Sequence, residues 1–284
     1  LNIPRGWNLI SLPGQLSNAD PQTLIDSGQG AMLPMFRWST SGYSYQQVTE
    51  LEQGVGYWLL DLTPSGEVLQ LSLTLADSYT ADLKAGWNII GSVAGVYDFS
   101  DPQDEPDGSI ANYSLFEWQS SGLTYNESTE IEEGKGYWVL CWNDCQLTVG
   151  GDSSPAASPQ AVTEAEVLLR LKLSSGDWSQ ELELGMDQSA TDSLDQMDRA
   201  LPPSGPVEVE HQAYLVGDQY RLRRDVRPVS EEEISWQMRV SSSQPVYLTM
   251  GSQQMPEGRK LVLIEEQVEM VLTAGGETRL ESGK

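Results

Sequence analysis

The residues best suited to chemistry in this 284-residue chain begin with two cysteines, Cys141 and Cys145, in the stretch "CWNDC". A zinc site needs four ligands, and the sequence offers only one histidine, His211, besides these two thiols. The Trp-Asn-Asp between the cysteines is typical of a turn. We therefore predict a hairpin whose tip is closed by a disulfide, which would imply an oxidising compartment. Two unpaired, inert thiols are the alternative.

Two acidic stretches could bind a hard cation. One is "DFSDPQDEPDG", which starts at Asp98, and the other is "GMDQSATDSLDQMD", which carries Asp187, Asp192, Asp195 and Asp198. Calcium takes roughly six to eight oxygen ligands from carboxylates, carbonyls and water, and neither stretch fits the helix–loop–helix pattern. We prefer the second stretch as a calcium site because it joins two predicted strands over a long irregular path. The alternative is that both stretches are solvated loops.

Catalytic motifs are poorly represented. His211 lies inside the alternating stretch "VEVEHQAYL", which predicts a partly exposed strand residue, and neither Gly-x-Ser-x-Gly nor His-Glu-x-x-His occurs. Carboxylate pairs for glycoside hydrolysis cannot be recognised from sequence alone. The glycines of "QGVGYW" and "EGKGYW" lack the downstream helix and lysine of a phosphate-binding loop, so they predict a tight turn entering a strand. We predict that the protein is not an enzyme.

Six of the nine tryptophans form three pairs whose members are eighty residues apart: Trp7 and Trp87, Trp38 and Trp118, Trp58 and Trp138. Recurrence at the same place beside glycines predicts buried scaffold residues, because Trp buries a large area in small β units. A platform on which sugars stack is the alternative. Trp142, at the predicted hairpin tip, is the candidate for a ligand contact at the surface.

The elements around these residues follow from an internal repeat. The stretch from Phe36 to Leu60 recurs from Phe116 to Leu140, and "GWNLIS" at Gly6 recurs as "GWNIIG" at Gly86. We therefore predict two repeats, residues 1–76 and 77–150. Short runs rich in aromatic and β-branched residues predict strands, with hairpins around Ser41-Gly42 and Ser121-Gly122. "PQTLIDS" predicts one short helix capped by Asp20.

The remainder of the chain, from residue 151 onwards, has a different sequence pattern. Residues 151–162 are small and proline-rich, which predicts a linker. In residues 163–284, Leu169, Leu171 and Leu173 alternate with charged residues, and a hairpin partner follows across Ser175-Gly176. About seven such short strands predict an immunoglobulin-like β-sandwich. The predicted fold class is all-β: two tandem small β-barrel or β-sandwich repeats followed by this immunoglobulin-like module.

The net charge of −26 excludes some partners and favours others. Such a surface repels phosphate backbones and anionic lipid headgroups, so nucleic-acid binding and docking to anionic membranes are disfavoured, and divalent cations would be attracted. No run approaches the roughly 18 apolar residues of a membrane span. The chain opens on Leu1 without a charged-then-apolar leader, which is compatible with a removed signal peptide.

Two motif sets resemble known families. "GWNLISLP", a Trp followed by Ser-Gly-x-Tyr, and "GYWL" resemble a repeat of secreted and surface-anchored proteins of bacteria and archaea. The block from "LGMDQSATDSLDQMDRALPPSG" to "PVYLTM" is similar to an Ig-like module near the C-terminus of large exported bacterial proteins. The resemblance implies an extracellular or cell-surface location and a structural or binding role.

From these observations we predict a non-enzymatic structural protein of the cell surface, a subunit of a filament, layer or envelope complex. Its partners would be further copies of itself or other envelope proteins. The alternative function is an adhesion module that binds glycans or proteins through exposed aromatic loops.

Overall fold

The computed structural model describes residues 1–151, 164–252, 255–265 and 268–280. Strands and their connections make up nearly all of these residues, which confirms the all-β class. The chain divides into two compact units: unit 1 is Leu1–Gln160 with Pro202–Val207, and unit 2 is Ala161–Leu201 with Glu208–Lys284. Apart from Gly151, the predicted linker lies outside the described residues. Within the described ranges, no helix has the length and apolar character needed to cross a membrane.

The first repeat forms strands that pair with one another. Its elements are β1 (Asn2–Ile3), β2 (Gly6–Ser11), β3 (Gly14–Leu16), α1 (Pro21–Ile25), β4 (Ala31–Ser39), β5 (Ser44–Gln47), β6 (Gly56–Asp61), β7 (Glu67–Val68) and β8 (Leu73–Leu75). A four-stranded sheet has the order β2-β6-β4-β5, and β1-β7 and β3-β8 form two short pairs. Helix α1 begins as predicted, with Pro21 at its start and the Asp20 side chain accepting a hydrogen bond from the Gln22 N–H.

The second repeat has the same plan. Its elements are β9 (Ser78–Leu83), β10 (Gly86–Ile90), β11 (Val96–Asp98), β12 (Gln103–Glu105), β13 (Phe116–Gln119), β14 (Thr124–Glu127), β15 (Glu130–Glu132), β16 (Tyr137–Cys141) and β17 (Cys145–Gly150). The sheet β10-β16-β13-β14 matches the order of the first sheet, element by element. The other strands form β11-β15 and β12-β17-β9. The predicted boundary near residue 76 falls between β8 and β9.

Both predicted hairpins of the repeats are confirmed. Ser39 pairs with Ser44 in the first repeat, and Gln119 pairs with Thr124 in the second, so four residues form each turn. The fourth turn residue has a positive φ in both cases, 45° at Tyr43 and 48° at Leu123. Equivalent turns therefore use the same backbone geometry although the side chains differ.

Each repeat has its own apolar core. Buried residues of the first core include Leu12, Leu24, Met35 and Leu59. Those of the second include Ile90, Ile131, Val139 and Leu147. Both repeats nevertheless belong to one compact unit, so the two predicted repeats are halves of a single folded body.

Unit 2 is built on one large sheet. Its strands are β18 (Val167–Ser175), β19 (Trp178–Asp187), β20 (Arg199–Leu201), β21 (His211–Val216), β22 (Arg221–Pro228), β23 (Met238–Ser242), β24 (Val246–Met250), β25 (Leu261–Glu265), β26 (Val268–Leu272) and β27 (Glu277–Leu280). The sheet order is β23-β21-β22-β19-β18-β24-β27, with β20 also paired to β22, while β25 and β26 form a separate hairpin. Strands β19 and β22 are parallel. The immunoglobulin-like arrangement stays a prediction.

The β18–β19 hairpin follows the predicted alternation. Leu169, Leu171 and Leu173 are at most 4% exposed, whereas Arg170 and Lys172 are exposed. Ser175 pairs with Trp178, which places a two-residue turn at Gly176 and Asp177. The predicted inward and outward faces of this hairpin are thus confirmed.

Candidate functional site: an aromatic seam between two repeats

The two repeats contact each other through equivalent positions. Ile10 of the first repeat pairs with Lys135 of the second. Their counterparts, Ile90 and Val55, also pair with each other. A contact that recurs with its two partners exchanged indicates twofold symmetry, as at the interface of a symmetric dimer. The repeats are therefore related by an approximate twofold axis within one chain.

Two glycines face each other close to this axis. A Cβ built on Gly56 would lie 3.3 Å from the Cα of Gly136, and one built on Gly136 would lie 3.2 Å from the Cα of Gly56. The sequence predicted tight turns for the glycine pairs of both motifs. That prediction is confirmed at Gly54 and Gly134, which have φ values of 76° and 84°. At Gly56 and Gly136, glycine is required for a different reason: the backbones of the two repeats approach each other closely there.

Tryptophans from one repeat pack on tryptophans from the other. Trp38 contacts Trp138 and Trp58 contacts Trp118, and both ring centroid distances are 5.1 Å with nearly perpendicular planes. Two equivalent tyrosines join the group, and Trp118 also lies 5.0 Å from the ring of Tyr125. We name the set the aromatic seam: Trp38, Tyr45, Trp58, Trp118, Tyr125 and Trp138.

The seam is packed, as expected for scaffold residues. Trp58 and Trp138 are fully buried, and Trp87 is 2% exposed, which confirms the scaffold prediction for these three. Trp38 and Trp118 are half-buried. Edge-to-face contacts of this kind stabilise a fold beyond the area that they bury. Sequence reasoning assigned the rings to the core but missed that the pairing crosses from repeat to repeat.

The indole N–H groups of the seam differ between the repeats. Trp118 Nε1 donates to the Trp7 carbonyl at 2.7 Å, and Trp138 Nε1 donates to the Tyr125 hydroxyl at 3.2 Å. Their counterparts, Trp38 Nε1 and Trp58 Nε1, are buried and have no acceptor in the part of the chain that the structure describes. A buried donor without a partner costs free energy, so these two positions need an explanation.

A proline-rich segment of unit 1 lies against the seam. The Tyr45 hydroxyl donates to the Ser204 carbonyl at 2.7 Å, and the Tyr125 hydroxyl donates to the Pro203 carbonyl at 3.0 Å. Pro202 is buried, and a Cβ built on Gly205 would lie 3.1 Å from Cη2 of Trp58. The sequence held a signal for this site, since both tyrosines occupy the same repeat position, but nothing in it paired them with residues 202–205.

The cysteines do not form the predicted disulfide. Cys141 and Cys145 are free thiols, 2% and 7% exposed, and both belong to the core of the second repeat. Burial raises the pKa of both thiols, that of Cys141 most strongly. The thiols therefore act as small apolar core residues, which was the alternative interpretation of "CWNDC".

The Asp-rich stretch is ordered by its own hydrogen bonds. Asp187 accepts from the Ser189 N–H through Oδ1 at 2.8 Å and from the Glu166 N–H through Oδ2 at 3.1 Å. Asp195 accepts from the Thr191 and Met197 N–H groups, each at 2.8 Å. Hydrogen bonds from Ser189 lower the pKa of the Asp187 carboxyl. The aspartate carboxylates thus stabilise the long irregular loop between β19 and β20 by accepting hydrogen bonds from backbone N–H groups.

Asp198 is the most perturbed acid of this loop. It is 6% exposed and accepts from the Val226 N–H at 2.8 Å and from the Asp195 N–H at 2.9 Å. Burial outweighs these hydrogen bonds and raises the pKa of Asp198 to about 7. Asp192, by contrast, is exposed. Across the described ranges, no group of three or more His, Cys, Asp and Glu side chains has the arrangement of a metal site, and calcium at these four aspartates stays a prediction.

His211 lies where the sequence placed it, but the hairpin predicted around Trp142 does not form, because the flanking strands β16 and β17 belong to different sheets. Trp142 follows β16, is half-buried, and donates its backbone N–H to the Ser109 carbonyl at 2.6 Å. Its equivalent in the first repeat is Leu62. His211 lies in β21, stacks on Trp178 and contacts the Ser242 hydroxyl at 2.8 Å. Its expected role as a partly exposed strand residue is confirmed.

Unit 2 contains a cavity of about 880 Å³. Its lining is mainly apolar and includes Leu171, Leu184, Leu215, Trp236 and Leu263. Cavities of this size accommodate drug-sized apolar molecules in other proteins.

Comparisons of the chain with protein-family models, with curated proteins and with solved structures gave no match.

Proposed function

We propose that the protein is a non-enzymatic structural protein of the cell exterior, which assembles with itself or with another envelope protein. The exterior location rests on the resemblance of its repeats and C-terminal module to exported proteins. The structural role is supported chiefly by one observation: the duplicated aromatic residues join two repeats into one body through reciprocal contacts. Residues that are repeated for catalysis or sugar stacking would be expected to face solvent.

An exposed apolar surface on unit 1 supports the assembly part of the proposal. Met32, Leu33 and Leu62 are 43%, 41% and 50% exposed. Met32 pairs with Leu60, and the Leu62 N–H donates to the Gly30 carbonyl, so the chain brings Met32 and Leu62 to neighbouring positions. Grouped exposed apolar side chains mark interaction surfaces more often than isolated ones.

The second repeat has an aromatic residue at the corresponding place. Trp142 takes the position of Leu62, and Tyr113, the counterpart of Leu33, is 52% exposed. The two repeats therefore present apolar or aromatic side chains at equivalent positions on opposite sides of the approximate twofold axis. Such a body can bind a partner on either side and so extend an assembly.

The test is the oligomeric state of the full chain over a series of protein concentrations, measured by light scattering after size-exclusion chromatography. We expect a mass above that of the 31.3 kDa monomer, and a loss of association in the double variant Met32→Glu/Leu62→Glu. Val271→Glu is the matched control, since Val271 is 56% exposed in unit 2. A protein that is monomeric throughout would argue against self-assembly, and association unchanged in the double variant would exclude this surface.

A further inference from the structure

We infer that the aromatic seam is a recognition site for an extended, proline-rich peptide, and that residues Pro202–Val207 are its built-in ligand. This inference concerns binding within unit 1 and does not depend on the proposed assembly function. It rests on the proline-rich sequence of the segment, on two tyrosine donors supplied by different repeats, and on the packing of Gly205.

The sequence Pro-Pro-Ser-Gly-Pro favours an extended backbone before any contact is made. Proline fixes φ near −65°, and the residue before a proline is pushed away from helical conformations, which here affects Leu201, Pro202 and Gly205. Proline also has no N–H, and an extended proline-rich backbone makes no internal hydrogen bonds, so its carbonyls are open to external donors. A segment that is already extended loses little conformational entropy when it is bound.

The seam supplies those donors symmetrically. Tyr45 of the first repeat donates to Ser204, and Tyr125, its counterpart eighty residues later, donates to Pro203. Two equivalent hydroxyls thus bind consecutive carbonyls of one peptide. Since each repeat contributes one donor, the site is complete only where the repeats meet.

The apolar contacts select small residues and proline. Pro202 is buried, and a side chain at Gly205 would meet Trp58 Cη2 at 3.1 Å and the Tyr125 hydroxyl at 3.5 Å. The seam has two more donors, Trp38 Nε1 and Trp58 Nε1. Both atoms are buried and have no acceptor among the described residues, and the whole Trp58 side chain is buried. Aromatic rings combined with hydroxyl and indole donors are the chemistry that recognises proline-rich segments in other proteins.

The first experiment tests whether the seam binds the peptide when it is supplied separately. In the full chain, Pro202→Ser/Gly205→Asp removes the buried proline and inserts a charge against Trp58, which should displace the built-in segment. A synthetic peptide with the sequence of residues 200–208 is titrated into this variant, and binding is followed by tryptophan fluorescence. Circular dichroism establishes that the variant is folded.

We expect the peptide to bind the displaced variant, and the same peptide with its three prolines changed to alanine not to bind. Adding Tyr45→Phe should weaken binding about tenfold, the typical effect of losing one hydrogen bond of this kind. Tyr247→Phe, which alters an exposed tyrosine of unit 2, should leave binding unchanged. A folded variant that binds neither peptide, or that binds both equally, overturns the inference.

A second experiment needs no change in the segment itself and decides the matter if the displaced variant does not fold. Tyr45→Phe alone, in the otherwise unchanged chain, should release residues 200–208 more often. Limited proteolysis read by mass spectrometry should then show cleavage in this range about tenfold faster than in the parent chain or in Tyr247→Phe. Equal cleavage rates in all three proteins would show that the seam does not recognise the segment.

Discussion

Gly56 and Gly136 are residues at which the first unit has no room for a side chain. A Cβ on Gly56 would lie 2.3 Å from Ile89 Cγ2 and 2.9 Å from the Ile90 carbonyl oxygen, and one on Gly136 would lie 2.8 Å from the Ile10 carbonyl oxygen. Because backbone atoms are among the obstacles, a small side-chain movement cannot relieve the overlap. We expect Gly56→Ala and Gly136→Ala each to lower the free energy of unfolding by about 3 kcal/mol.

Urea denaturation measures this effect, and the chain provides a matched control. A Cβ on Gly122, in the turn between β13 and β14, would meet only Thr124 Cγ2, at 3.4 Å. Gly122→Ala should therefore change the free energy of unfolding by less than about 0.5 kcal/mol. Similar losses at Gly122 and Gly56 would contradict the role of close approach at the axis.

Asp198 should make the stability of unit 2 depend on pH in an unusual direction. Its pKa is raised from 3.8 to about 7 in the folded protein, mainly by burial and further by the charges of Asp195 and Asp225. Between these two pH values the folded state binds more protons than the unfolded state. The free energy of unfolding contributed by Asp198 is therefore greatest below about pH 4 and falls as the pH rises towards 7.

The measurement compares the free energy of unfolding of the parent chain and Asp198→Asn at about pH 5 and about pH 8. We expect the difference between the two pH values to be smaller in the variant, whatever its absolute stability. Asp192→Asn is the control, because the Asp192 side chain is 85% exposed. An identical pH dependence in all three proteins would mean that Asp198 does not titrate in this range.

At the level of elements, the equivalent strands β4 and β13 place the same residue in two environments. The rings of Trp38 and Trp118 make matching contacts, with centroid distances of 5.1 Å to their partners. Of these two indoles, only that of Trp118 has an acceptor among the described residues, the Trp7 carbonyl at 2.7 Å from Nε1. We expect Trp118→Phe to lower the free energy of unfolding by about 1 kcal/mol more than Trp38→Phe does. Equal losses, measured by chemical denaturation, would contradict this assignment.

The elements were largely predictable from sequence, and the seam was not. The eighty-residue repeat predicted both hairpins, the alternation of Leu169, Leu171 and Leu173 predicted a buried face, and Asp20 predicted the start of α1. These signals are local, since each depends on residues a few positions apart. The pairing of Ile10 with Lys135 leaves no local pattern, and a single sequence does not reveal such long-range contacts.

The candidate site shows the same limit. Tyr45 and Tyr125 were visible as equivalent residues, but their partners Pro203 and Ser204 lie far along the chain. The cysteine prediction failed for a related reason: the turn between Cys141 and Cys145 was inferred from its composition, whereas their burial depends on strands elsewhere in the repeat. Burial by distant segments is a tertiary property that spacing does not express.

At the scale of the whole molecule, the net charge of −26 opposes contact between copies. If apolar residues such as Met32 and Leu62 form the contact, salt should favour association, because it screens repulsion and does not weaken apolar burial. We expect stronger association, measured by light scattering, when sodium chloride rises from about 0.05 to about 0.5 M. Weaker association at high salt would point instead to a contact made by ion pairs.

The same measurement bears on the predicted calcium site. Calcium and magnesium chloride at equal ionic strength screen charge alike, so repulsion between copies responds to both. An effect of calcium beyond that of magnesium, lost in Asp187→Asn or Asp195→Asn, would support binding at the Asp187–Asp198 loop. Equal effects of the two cations would argue that the loop is ordered by its hydrogen bonds alone.

The exchange of partners across the axis has a consequence for how such a chain arises. At the axis, Lys135 and Gly136 of the second repeat contact Ile10 and Leu9 of the first. The counterparts of these two partners, Ile90 and Ile89, are present in the second repeat itself. A molecule containing residues 77–150 alone thus possesses both sides of the contact. We expect this fragment to form a homodimer, measured by light scattering. Fusion of two copies of its gene would then be sufficient to produce the single-chain form. A stable monomer of the fragment would refute this origin.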